Sequence, residues 1–328
     1  MRALVSRSRV SGERELLQRL IAGPVSGDVL ARDAGLTRAA MWKRIEALRE
    51  GGVQIGAAPG RGYALAHPVE LLDAEAIRAQ LPDPRGLHEL QVVWSLDSTN
   101  SELLRRTAPQ QGACVLLAER QTAGRGRRGR RWASPLAAHL YLSVARHFSG
   151  GLARLGGLSL VSGVAAAEAL HTLGLGSVRL KWPNDLVVDG RKLGGLLVEG
   201  GGEHGGPVRA VIGLGLNVRM PDAFAARIDQ PWTDLHSLGA TLSRNLVAAR
   251  MLQSLLPALE VFDAEGLPPF LPRYGALDAL SGRRLEIRSG EATFEADHCG
   301  IAADGALCVR EGGTLRHVHA GEVSVRPR

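Results

Sequence analysis

Five arginines and three glycines make up the eight residues 124 to 131, and Trp132 follows them. This stretch is not a tail. The apolar run 113–118 before it reads as a buried strand, and His139–Ala145 after it reads as another. A cationic loop between two core strands repels itself, and its glycines cost backbone entropy. It makes sense where an anion orders it: glycine lets backbone N–H groups approach a phosphate, and arginine adds forked, permanently charged donors. Three readings compete. One is a solvated basic turn. The second is a dinucleotide fingerprint, since Gly124, Gly126 and Gly129 fit G-x-G-x-x-G. That reading lacks its context, because Arg130–Pro135 and then a strand follow where a helix should begin. The third is a loop that closes over a nucleotide phosphate.

Composition narrows the class. The 328 residues suggest two or three domains, and 45% apolar content supports globular cores. Net charge is +7, of which +5 falls in residues 1–66, as expected of a polyanion-binding module. Cys114, Cys299 and Cys308 are odd in number and lack metal spacing, so neither a disulfide framework nor a zinc site is indicated. His317 and His319 alternate as on a strand with no third ligand near, so no metal is assigned. With no signal peptide and no membrane span, a cytoplasmic location is expected.

Residues 12–66 read as a winged helix-turn-helix. A stripe of Leu16, Leu17, Leu20 and Ile21 marks a helix over Glu13–Ala22. Ser26 caps a short helix, Gly27–Ala34, and Thr37 caps a third, Arg38–Glu50, with Met41, Ile45 and Leu48 buried. A hairpin with Arg61 at its tip follows as the wing. Arg38, Ala39, Trp42, Lys43 and Glu46 lie off the apolar stripe and are the candidates for a major groove.

The pattern beyond residue 67 alternates strands and helices. Leu71–Leu81 reads as a helix, Val92–Trp94 as a strand, and Thr99 with Glu102 as a capping box opening the helix Glu102–Arg106. A buried helix lies near Leu158–Leu173. Val178–Val188 is two strands joined at a polar corner, Asp189–Gly190 a hairpin turn, and Gly200–Gly206 a flexible loop. In the strand Val208–Val218, alternating Gly213 and Gly215 let a flat group lie against the backbone. Residues 221–277 read as mainly helical, and short strands after Ser281 as a small barrel.

Asp97–Asn100, Gln121 with Gly124–Gly129, Lys181–Asp185, Lys192–Gly195 and Gly213–Asn217 occur in that order. Together they resemble the biotin protein ligase family, and residues 12–66 resemble the bifunctional form that also represses biotin operons. The resemblance implies an α+β chain of three domains. These are a winged helix-turn-helix (1–66), a central α/β mixed-sheet domain of the class II aminoacyl-tRNA synthetase and biotin ligase type (67–277), and an SH3-like β-barrel (278–328). It implies that biotin is activated with ATP and Mg²⁺ and passed to biotin carboxyl carrier protein of acetyl-CoA carboxylase, and that a homodimer binds operator DNA. By resemblance Ser98, Thr99, Asn100 and Gln121 hold the biotin head, and Arg125, Gly126 and Arg127 close over the carboxylate. Lys192 bridges it to the α-phosphate. Gly124, Arg128, Arg130, Trp132, Lys181, Asn184, Asp185, Gly213, Gly215 and Asn217 serve the nucleotide, with Trp132 over the adenine. Three alternatives differ in class: a lipoate ligase, a sensor without catalysis, and a ligase whose first module no longer binds DNA.

Overall fold

The computed structural model describes residues 2–58, 62–84, 86–149, 151–202, 208–289, 292–320 and 323–327. The chain opens with α1 (Arg2–Ile21), α2 (Gly27–Asp33) and α3 (Arg38–Glu50), then β1 (Ile55–Ala58) paired antiparallel with β2 (Gly62–Leu65). Both expected caps form: Ser26 accepts from Val29 N–H and Thr37 from Ala40 N–H. Helix α1 extends further towards the N-terminus than the Glu13 start expected from the leucine stripe. Arg61 lies outside the described residues.

Next come α4 (Ala74–Arg78), β3 (Leu87–Leu96), α5 (Thr99–Arg105), β4 (Ala113–Gln121), β5 (Leu140–Phe148), α6 (Leu158–Thr172), β6 (Arg179–Lys181), β7 (Asp185–Val188), β8 (Arg191–Gly202) and β9 (Val208–Leu216). They form a seven-stranded sheet of order β3-β4-β5-β9-β8-β7-β6, in which only β3 and β4 run parallel. A one-turn α7 (Asp222–Ala225), then α8 (Arg244–Glu265) and α9 (Leu271–Leu277), complete this part. Helix α6 is apolar nearly all round and is buried between the sheet and α8. A five-stranded antiparallel sheet closes the chain: β10 (Arg284–Ser289), β11 (Ala292–Ile301), β12 (Leu307–Glu311), β13 (Thr314–Val318) and β14 (Val323–Pro327), ordered β13-β12-β11-β10-β14. Among the described residues no helix is long and apolar enough to cross a membrane.

Several expectations shift. The helix read over Leu71–Leu81 shortens to α4, because the Asp73 side chain caps it late. Strand β8 continues through Gly202, where a loop was expected from Gly200. A Cβ on Gly200 would sit 2.6 Å from Arg209 O, so glycine here permits close strand pairing rather than flexibility. Of strand β13 only the strand-like alternation at His317 and His319 was read, because its burial pattern is nearly all exposed and leaves no apolar alternation.

One buried polar network ties the parts together. Arg244 Nη1 lies 2.8 Å from Glu119 Oε2, with both side chains almost wholly buried. The same guanidinium donates to His139 O and Glu70 O, while Glu119 Oε1 accepts from Leu72 N–H. The segment leaving the N-terminal module is thereby pinned to β4 and α8. Removing one partner of such a pair typically costs about 3–5 kcal/mol.

Beside it, His139 is fully buried and accepts from Val218 N–H at Nδ1 (3.1 Å). Burial pushes its pKa down to about 4. The unfolded imidazole therefore takes up a proton first as pH falls. Stability from this group is intact above about 6.5, drains between 6.5 and 4, and amounts to roughly 3 kcal/mol in all. Urea unfolding across that range should show a steeper loss for the native chain than for His139→Gln; equal slopes would contradict this.

Candidate active site

The central sheet has two unlike faces. Leu140, Leu142, Val144, Ile212, Leu214, Leu216 and Leu196 face the apolar core shared with α6 and α8. The alternate residues form the other face. Register places Tyr141 beside Gly215 and Gly195, Ser143 beside Gly213 and Leu197, and Ala145 beside Val211 and Glu199. Glycines therefore clear a strip across β8 and β9 that β-branched or larger residues would fill. The strip is covered by this chain's own flat groups. A Cβ on Gly215 would lie 2.5–2.8 Å from the Trp132 indole, and one on Gly213 would strike the Asn100 amide. Trp132 Nε1 is buried there without a protein partner.

The start of α5 brings the polar head of the strip together. Ser98, rather than Thr99, is the N-cap, accepting from Ser101 N–H at 3.4 Å. That corrects the expected capping box and frees the Thr99 hydroxyl. Thr99 N–H and Oγ1–H both donate to Gln121 Oε1, at 2.8 and 3.1 Å. Ser143 Oγ lies 2.7 Å from Thr99 Oγ1 and donates to Asn100 Oδ1 at 2.6 Å. Asn100 Nδ2 donates to Leu197 O (3.1 Å) and Glu199 Oε2 (2.9 Å). The Asn100 amide is therefore engaged at both ends and positions its neighbours. Just outside, Arg105 forks onto Asp97 at 2.8 Å and holds that carboxyl at about 2.

The arginine stretch folds as a tight hairpin. Trp132 N–H donates to Gly124 O (2.9 Å) and Gly126 N–H to Arg130 O (2.7 Å). Arg128 (φ 59°) and Gly129 (φ 69°) make the turn, and no helix follows, so the dinucleotide fingerprint is excluded. Gly124 is needed for space: a Cβ would meet Ser134 Oγ at 2.7 Å and Trp132 O at 2.9 Å. Arg125 leaves the hairpin to pair with Glu199 at 2.9 Å. Arg127 is half-buried, reaches Asn184 Oδ1 (3.4 Å) and donates to Ala320 O, just past β13; burial lowers its pKa. Arg128, Arg130 and Arg131 remain exposed.

At the opposite end, Lys192 Nζ lies 2.6 Å from Asp185 Oδ1 and 5.5 Å from the Trp132 ring centroid. Asn184 Nδ2 donates to Leu196 O (2.8 Å), fixing the corner that Trp182–Asp185 makes between β6 and β7. Lys181 sits opposite Asp185 in register and lines a small cavity with Asn184, Ser159 and Tyr274. Asn217 is buried and donates to Thr233 O (3.0 Å), while Lys192 exchanges backbone bonds with Pro231 O and Thr233 N–H. Residues 231–233 thus wall the lysine. Their role was not read from the sequence, where 221–277 looked helical; Pro231 and Trp232 outside any apolar period were the available signal. Ser143 and Glu199 were likewise missed as partners of Asn100, though Ser143 interrupts an apolar strand. Among the described residues no group of three or more His, Cys, Asp or Glu is placed to hold a metal ion.

A second surface lies on α3. Trp42 is 54% exposed, and Ala39 and Lys43 are exposed beside it. Arg38 pairs with Asp28 (2.8 Å) and Glu46 with Arg49 (2.6 Å), so two of the expected readers are partly engaged within the module. The end of α3 touches the catalytic part directly. Leu136 N–H donates to Gly51 O (2.7 Å), and Trp94, Leu136 and Ala137 enter the apolar core of the N-terminal helices.

Residues 92–217 match the biotin/lipoate A/B protein ligase family, residues 13–64 an HTH domain, and residues 280–326 the biotin protein ligase C-terminal domain. The bifunctional ligase/repressor BirA of Salmonella typhimurium is 42% identical over 92% of this chain and 93% of its own length. That of Escherichia coli is 41% identical over 92% of each. A solved biotin protein ligase from Aquifex aeolicus, in complex with biotin and ATP, shares the fold at a TM-score of 0.63 and 24% identity, covering 74% of this chain and all of that one (100%). With its strip of glycines, its two ion pairs and its helical N-terminal module, the chain belongs to the biotin protein ligase family, in the branch of the bifunctional ligase/repressors.

Proposed function

We propose that the chain activates biotin with ATP to biotinyl-5′-AMP, transfers biotin to a lysine of biotin carboxyl carrier protein, and represses biotin genes through its N-terminal module. The observation that carries this reading is the glycine strip flanked by Lys192–Asp185 at one end and Arg125–Glu199 at the other. In the first step a biotin carboxylate oxygen attacks the α-phosphorus of ATP, and the bond to pyrophosphate breaks. Both reactants are anionic, so positioned positive charge is what the site must supply. Lys192 bridges the carboxylate and the α-phosphate, exchanging its Asp185 partner for them. Arg125, Gly126 and Arg127 close over the same groups. Ser98, Thr99 and Gln121 hold the ureido ring, with Asn100, Ser143 and Glu199 bracing them. In the second step the carrier lysine attacks the acyl carbon and AMP leaves.

Gly124, Arg128, Arg130, Trp132, Lys181, Asn184, Asp185, Gly213, Gly215 and Asn217 line the nucleotide end or shape it. Mg²⁺ would be held chiefly by the ATP phosphates and would offset their negative charge. Asp185 is the nearby carboxylate.

Residues 1–66 act as a winged helix-turn-helix, 67–277 as the catalytic domain and 278–328 as an SH3-like barrel. Ala39, Trp42 and Lys43 meet the major groove, with Arg38 and Glu46 at its border and Arg61 on the wing. A homodimer would match a two-fold operator. The part of β8 beyond its pairing with β7 offers a strand edge for that dimer.

Three outcomes follow. Pyrophosphate exchange should require biotin and ATP, and Lys192→Ala should slow it about a thousandfold, since a unit charge about 4 Å away is worth roughly 4 kcal/mol at an effective dielectric near 20; exchange at native rates would remove Lys192 from the mechanism, and exchange with lipoate instead of biotin would change the substrate. Gly215→Ala should raise the ATP KM at least about tenfold while leaving the circular dichroism spectrum unaltered, because the new methyl displaces the Trp132 indole; an unchanged KM would count against the strip. In gel shifts on the biotin-synthesis promoter, Lys43→Ala should lower the salt slope by about 1; native binding by that variant would move the DNA surface elsewhere.

A further inference from the structure

Two cysteines nine residues apart, Cys299 and Cys308, stand on adjacent strands of the C-terminal sheet. Strands β11 and β12 pair His298 with Val309 and Ile301 with Leu307, so between these pairs Cys299 and Gly300 together oppose Cys308. Two residues against one is a β-bulge, and Gly300 (φ 100°) supplies the backbone that it needs. Leu307 and Val309 are wholly buried, so Cys308 between them turns to the outer face. Cys299 is exposed, and Cys308 is half-buried. Paired strands lie about 4.7–4.9 Å apart, of the order of the roughly 4.4–6.8 Å at Cα that a disulfide spans. Cys114 is buried in the catalytic sheet and belongs to a different cluster.

We propose that Cys299 and Cys308 form a reversible cross-strand disulfide, a redox site on the C-terminal domain. A hydroperoxide is the oxidant. The exposed Cys299 thiolate attacks its O–O bond, taking one oxygen as a sulfenic acid and releasing an alcohol or water. Cys308 sulfur then attacks the Cys299 sulfur, and water leaves. The thiols lose two protons and two electrons, and the peroxide is reduced. Burial, then Asp304 and Cys299, hold the Cys308 thiol above its usual value, which fits Cys299 as the first attacker. His317 is the register partner of Cys308 on β13.

The bond would act at the root of a hairpin whose tip touches the active site. Gly305 O accepts from Trp182 Nε1 at 3.1 Å, and Trp182 leads into Asn184 and Asp185. Gly156 packs under the same tip, where a Cβ would lie 3.3 Å from Asp304 O. Fixing the hairpin root therefore alters the corner that holds the lysine's partner. This consequence, unlike the bond itself, rests on the ligase reading.

The test uses the full-length chain treated with hydrogen peroxide and then alkylated. Peptide mapping without reductant should recover a Cys299–Cys308 linked pair with a mass loss of about 2 Da, absent in Cys299→Ser and in Cys308→Ser and reversed by dithiothreitol. A sulfinic acid at Cys299 beside a free Cys308, or a link to Cys114 or to a second chain, would overturn the proposal. The oxidised native chain should show a severalfold higher ATP KM that returns on reduction, with Cys308→Ser unaffected by peroxide. An unchanged KM in the linked protein would overturn the coupling to the corner while leaving the ligase assignment untouched.

Discussion

Everything at the candidate site depends on close approach of side chains to bare backbone. Gly195, Gly213 and Gly215 share one face and lie in adjacent register on β8 and β9. Without Cβ atoms at 213 and 215, the Asn100 amide and the Trp132 indole settle onto the sheet itself. The opposite face of the same strands carries leucines, valines and isoleucines packed on α6 and α8. The sheet is thus rigid on one side and open for flat polar groups on the other. Such an arrangement places hydrogen-bonding groups on regular elements instead of loops, which keeps their geometry narrow.

Charge is stored at both ends of that strip in a form that an anion can redirect. Arg125 and Lys192 each have one carboxylate partner, Glu199 and Asp185. These pairs keep the cations in place and limit mutual repulsion along the arginine hairpin. A carboxylate and a phosphate entering together bring the negative charge needed to replace those partners. The segment leading away from Trp132 touches the N-terminal helices. Four residues beyond Trp132, Leu136 N–H bonds the carbonyl of Gly51 at the end of α3, and a Cβ on Gly52 would sit 2.8 Å from Pro135 and 3.0 Å from the Phe224 ring. The end of the helix carrying Trp42 and Lys43 therefore rests on the segment that follows Trp132 and on α7.

The sequence made some of this legible and hid the rest for physical reasons. Helix α3 and its Thr37 cap followed from local chemistry, since a capping hydroxyl and an i, i+3/i+4 stripe are short-range signals. Gly213 and Gly215 were legible as room for a flat group, but not that the chain's own Asn100 and Trp132 take it, because those contacts span about a hundred residues. Thr99 was read as a cap because it stands three residues before Glu102; the actual cap, Ser98, differs only in where α5 begins. Glu199 looked like a strand end, yet it joins Asn100 and Arg125 across the face. Most of strand β13 escaped, beyond the alternation at His317 and His319, because a strand exposed along most of its length has no apolar alternation. Cys299 and Cys308 looked unrelated because register, including a bulge, cannot be read from spacing.

The most direct measurement of the central claim is a crystal structure of the chain with a non-hydrolysable biotinyl-adenylate analogue. The account predicts the ureido ring within hydrogen-bond reach of Thr99 and Gln121, the acyl phosphate linkage contacted by Lys192 Nζ, and Lys192 drawn away from Asp185. Density for the analogue elsewhere on the chain, with Lys192–Asp185 and Arg125–Glu199 still paired and the glycine strip untouched, would contradict it.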